Sequence, residues 1–143
     1  MKRIQKIAWV FVIMISLGLV VSAMATITLY CRVGWPKARA GFAYMGIAGL
    51  AAFSLLIFRK DKGAVTFDER DKQIKRRAAL ASFALSYLFV GLACMIPLTV
   101  LGPSALIRVD WLGDIFQGTA ITAFYTWAIA ILIQYGGGGK ENE

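Results

Sequence analysis

The chain has 143 residues, 59% of them hydrophobic and only 17% charged, with a mean hydropathy of +0.67 and a formal net charge of +8. Its 16 bases and 8 acids sit in short clusters that leave uncharged stretches at 7–31, 40–58, 78–107 and 115–139. That pattern excludes a soluble domain, because each stretch is about as long as the roughly 20 residues a helix needs to cross the hydrocarbon core.

The expected fold is therefore all-α, a four-helix transmembrane bundle with spans at about 7–30, 40–58, 78–100 and 115–135. Residues 136–143 are expected to form a flexible cytoplasmic tail, since four consecutive glycines offer no side chain to bury. With nearly all of the chain in spans, no catalytic domain is expected, and neither a cofactor nor a metal. Histidine is absent, and Cys31 and Cys94 are not a close-spaced pair, so redox CxxC and tetrathiolate zinc sites are excluded. The positive charge does not imply nucleic acid, because Lys and Arg beside spans serve lipid headgroups and orientation.

The first cluster, Lys2, Arg3 and Lys6, is followed at once by 25 uncharged residues. Ala23-Met24-Ala25 resembles a signal-peptide cleavage site, but the apolar run far exceeds the 7–15 residues of a signal core. An uncleaved first span is the favoured reading, and cleavage would only remove one helix. Gly34 and Pro36 break the chain before the second span, with Tyr30 and Trp35 suited to the aromatic belt. The second span is crowded with small residues, and Gly46 and Gly49 are expected to face a neighbouring helix closely.

Between Arg59 and Arg77 lies the one sizeable polar connection, with eight bases and four acids. Thr66 and Glu69 have capping-box spacing, and Asp68 adds favourable charge to a helix start. Asp68–Lys72 and Asp71–Lys75 are acid-before-base pairs at i,i+4, while Phe67, Ile74 and Ala81 mark an apolar stripe. The third helix is thus expected to begin near Phe67, as a short cytoplasmic extension ahead of lipid entry at Ala78. Phe67, Asp68, Glu69, Arg70, Asp71 and Ile74 are the residues expected to meet a partner. Asp68, Glu69 and Asp71 would be the natural metal ligands, but nearby bases compete for them and a capped helix start explains them better.

Pro97 is a possible kink, and Gly102-Pro103 a firmer stop to the third span. Small-x-x-x-small seams run through Gly18, Ser22 and Thr26, through Ser82 and Ser86, and through Gly118, Thr122, Thr126 and Ala130. Helix packing is their expected use, notably at Ser82, Ser86, Gly118 and Thr122, although such stripes can also line a narrow polar path. Trp127 and Tyr125 lie deep in the fourth span, where packing or lipid contact is commoner than a ligand such as a quinone.

Orientation follows from the bases. Lys2, Arg3, Lys6, the eight between Arg59 and Arg77, and Lys140 fall on one side, twelve against the four at Arg32, Lys37, Arg39 and Arg108. Both termini are expected in the cytoplasm, with the chain in the inner membrane.

Around Asp68, Glu69, Arg70, Asp71 and Ile74 the chain resembles a family of small, uncharacterised prokaryotic membrane proteins with a DERD-x-x-I motif ahead of a transmembrane helix. The resemblance implies an architecture and no reaction, ligand or catalytic residue. The composition as a whole suits a non-enzymatic protein acting by association, as an accessory subunit or a regulatory or immunity-like factor. Membrane lipids, a membrane-protein partner or further copies of itself are the expected contacts, without nucleic acid. A small oligomeric channel or solute transporter is the alternative.

Overall fold

A computed structural model describes residues 3–35, 37–58, 69–102, 104, 106 and 108–136, apart from the side chains of 55 and 56. Every regular element among them is helical: α1 (Arg3–Val33), a 3₁₀ helix (Lys37–Phe53), α2 (Ser54–Ile57), α3 (Glu69–Leu101) and α4 (Asp110–Gly136). α1, α3 and α4 are long and apolar enough to cross a membrane. Helix is the expected state for such sequences, since lipid offers no partner to a free N–H or C=O. The chain divides into two compact units, Met1–Thr66 and Phe67–Glu143.

In the first unit, α1 packs against the 3₁₀ helix. Its buried residues are Ile7, Ala8, Phe11, Ile15, Gly18 and Ser22, the three-and-four spacing of one helical face. Gly34 ends α1 at φ 72°, its N–H bonding the Tyr30 carbonyl at 3.1 Å. A left-handed residue here suits glycine because it has no Cβ to clash. At the opposite end of this hairpin Arg3 Nε donates to the Phe58 carbonyl.

The 3₁₀ winding of the second segment runs for 17 residues, far beyond the usual short pieces. Three residues per turn stack i directly over i+3, which crowds long side chains. Here the column Ala40, Ala43, Gly46, Gly49 and Ala52 has nothing beyond Cβ, so stacking meets little resistance on that side. The winding also supplies length. α1 extends about 46 Å at 1.5 Å per residue. The returning strand of the hairpin has far fewer residues, and a rise of about 2.0 Å carries the 3₁₀ portion across about 34 Å. That is what lets Phe58 reach the level of Arg3.

The second unit is a hairpin of α3 and α4. α3 is continuous from Glu69 through Pro97 to Leu101. Pro97 lacks the N–H that would bond the Ala93 carbonyl, yet the helix ends only at Gly102, with φ 83° and its N–H on the Leu98 carbonyl at 3.1 Å. α4 begins at Asp110, over a turn before the expected boundary at Ile115. An acid in the first turn favours that earlier start through the helix dipole. Asp110 also pairs with Arg108 at 2.8 Å.

Candidate functional site: the helix seams and the basic start of α3

The seam of the first unit is built from small residues. An ideal Cβ on Gly18 would lie 3.4 Å from the Ala48 backbone nitrogen, and one on Gly41 only 2.4 Å from Thr26 Oγ1. Ser22, 1% exposed, donates to the Gly41 carbonyl at 3.1 Å. Gly18, Ser22 and Thr26 thus form one working face, as their i,i+4 spacing suggests. The approach is close enough to leave Thr26 Oγ1 buried with no hydrogen-bond partner, and Ser54 Oγ is buried without one too.

Gly46 and Gly49 do not belong to this seam. A Cβ at either position would meet nothing within 4 Å, and both residues are exposed. Their exposure within the chain has a geometric cause. At three residues per turn, positions 37, 40, 43, 46, 49 and 52 share one side, and all of them are exposed. The buried positions Ala38 and Gly41, then Ala51 and Ser54, occupy the other two sides. An α-helical reading of the same sequence mixes these columns.

In the second unit Gly118 lies under Phe89, where a Cβ would fall 2.5 Å from the ring's Cζ. Ser86 and Thr122 of the seams, and Thr119 beside them, turn their hydroxyls to their own helices. Ser86 bonds the Ser82 carbonyl at 2.7 Å, Thr122 the Gly118 carbonyl at 2.8 Å and Thr119 the Ile115 carbonyl at 2.7 Å. Thr28 and Thr99 make similar bonds to Met24 and Met95. Hydroxyls satisfied in this way need no partner on a neighbouring helix. Trp127 and Tyr125 are half-buried.

Of the expected partner-contact residues, Phe67 and Asp68 lie outside the described residues, as do Thr66 and the tail 137–143. Glu69 through Arg77 is helical and continuous with the span, which makes it a rigid extension. Glu69 and Arg70 are exposed. Asp71 is half-buried and accepts a 2.7 Å hydrogen bond from Tyr135 at the far end of α4. Ile74 is 6% exposed. Asp71 and Ile74 are therefore engaged within the fold, and the face left open is basic. Lys72, Arg76 and Arg77 are exposed there. The sequence places these cations at lipid headgroups and on the side that sets orientation, without joining them to the residues that follow on the same face.

Among the described residues, no three His, Cys, Asp or Glu side chains gather to hold a metal. Cys31 and Cys94 are free thiols, each exposed. The geometry defines an all-helical protein with three helices fit to cross a membrane. No family model, characterised protein or solved structure matches the chain.

Proposed function

We propose that the chain is a four-span protein of the inner membrane, with both termini cytoplasmic, that works without catalysis by associating with other membrane proteins. The 3₁₀ helix and α2 together supply the span that completes the count. An accessory subunit or a regulatory or immunity-like factor fits this reading. So does the DERD-x-x-I resemblance, which adds an architecture and no chemistry.

One observation carries the proposal. The second span presents an unbroken exposed column of Ala40, Ala43, Gly46, Gly49 and Ala52. In lipid, helices associate through close backbone approach, which small residues permit. The hydroxyls of Ser86, Thr119 and Thr122 are already satisfied within their helices, which favours packing over a polar pore as their role.

The test is native mass measurement after purification in mild detergent, on the wild type and on the Gly46→Leu/Gly49→Leu variant. Loss of a stoichiometric partner or of self-assembly, with helicity and thermal stability kept, supports association through this column. Unchanged assembly in the variant rejects it. Ion or solute flux from the pure protein in liposomes would instead establish the channel reading.

A further inference from the structure

The outward face of α3 joins two features that the described residues of the second unit leave exposed. Lys72 and Arg76 stand one turn apart, with Arg77 beside them, all exposed and without an ion pair among the described residues. Continuing at helical spacing come Leu80, Phe83 and Tyr87, which are 60%, 72% and 75% exposed. The rings of Phe83 and Tyr87 stack at 6.5 Å between centroids and 21° between planes. The opposite side of the helix carries Asp71, Ile74 and Ala78, where Ile74 and Ala78 are buried. Among the described residues the one acid on the outward face, Glu69, lies at the end farthest from the apolar residues.

We infer that this face binds one anionic phospholipid, with its phosphate held by Lys72, Arg76 and Arg77 and an acyl chain laid along Leu80, Phe83 and Tyr87. The spacing is what selects such a ligand. Arg76 and Phe83 are separated by about 10 Å of helix, so the column passes from cation to apolar ring over the depth from headgroup to chain. A guanidinium grips phosphate oxygens through paired N–H donors, while Lys adds a mobile charge. Juxtamembrane bases of this kind are drawn to anionic lipid surfaces. A soluble acidic partner would leave the aromatic pair uncovered, and a second apolar helix would leave the three cations unmatched. The inference rests on α3 lying in a membrane.

The experiment is native mass spectrometry of the full chain in detergent, titrated with dioleoylphosphatidylglycerol or dioleoylphosphatidylcholine. The wild type should prefer the anionic lipid by about tenfold or more, and Lys72→Gln/Arg76→Gln should remove most of that preference. Arg76→Lys should keep part of it, and Arg32→Gln, a charge loss elsewhere, should keep all of it. Phe83→Ala/Tyr87→Ala should weaken both lipids alike. Circular dichroism matching the wild type shows that each variant is folded. Equal affinity of the wild type for the two lipids would overturn the proposal, as would an unchanged preference in the glutamine variant. Displacement by millimolar inorganic phosphate alone would reduce the site to an anion site, and a second copy seated there in place of lipid would refute it. Release of the protein from membranes by alkaline carbonate would instead mean that the membrane reading itself has failed.

Discussion

Tyr135, at the end of α4, donates its phenolic proton to Oδ1 of Asp71 at 2.7 Å, close to the start of α3. Far along the same pair of helices, Phe89 lies over Gly118. The two contacts are separated by about 27 Å on α3 and about 25 Å on α4. These matching intervals fix the hairpin's register at two well-separated points. The bond at Asp71 also gives the polar extension of α3 a specific anchor on its partner helix.

Tyr135→Phe should lower the unfolding free energy in mild detergent by about 1–2 kcal/mol, because a bond to a charged acceptor is lost from a half-buried site. Asp71→Asn should cost less, since its amide oxygen can still accept. Hydrogen exchange should rise first at Glu69–Lys75. A wild-type unfolding curve for Tyr135→Phe would show that the bond does not hold the register.

Glycines of the 3₁₀ segment should behave in opposite ways. Gly41→Ala places a methyl 2.5 Å from the Thr26 backbone nitrogen, which cannot swing aside. The helices must part, at a cost of about 2 kcal/mol or more. Gly46→Ala and Gly49→Ala meet open space and should be neutral or stabilising by about 0.5 kcal/mol, through lower entropy in the unfolded chain. Thermal melts of the three single variants decide this. Equal losses at all three positions would contradict the winding described here.

Ser22→Ala removes the hydroxyl that bonds the Gly41 carbonyl in a buried seam. A loss of about 1 kcal/mol is expected, the usual net value of such a bond. Comparison with Thr28→Ala supplies the control. Thr28 is exposed and bonds only its own helix, so its replacement should leave the melting temperature nearly unchanged.

At Gly118 the obstacle is a ring tip rather than backbone. Gly118→Ala should therefore cost only about 1 kcal/mol, and Phe89→Leu should reverse most of that loss. A double-mutant cycle measures the coupling. Strictly additive effects would mean that the two residues do not touch.

The division of bases, twelve to four, predicts that reporters placed after Glu143 and near Gly63 both read cytoplasmic. A periplasmic signal at either site would mean that the 3₁₀ segment does not complete a fourth crossing.

Local order alone determined much of this protein. The uncharged stretches specify helices, because lipid leaves the backbone no other way to satisfy itself. The i,i+4 spacing of Gly18, Ser22 and Thr26 marks the face that meets the second segment. Gly34 and Gly102 signal the helix ends where a left-handed residue is required. The acid-before-base run ahead of Ala78 likewise predicts that α3 starts well before the apolar stretch.

Tertiary structure decided what depends on residues far apart. A column of alanine and glycine fits an α or a 3₁₀ helix almost equally well at the level of side chains. The choice here follows the length of α1 and the tie between Arg3 and Phe58, neither of which is local to the segment. That choice moved the seam from Gly46 and Gly49 to Gly41 and Ala48. Likewise no local rule joins Asp71 to Tyr135, which are 64 residues apart in the chain. Periodicity says which residues share a face, but only the packed partner decides how far each helix must reach and which face it meets.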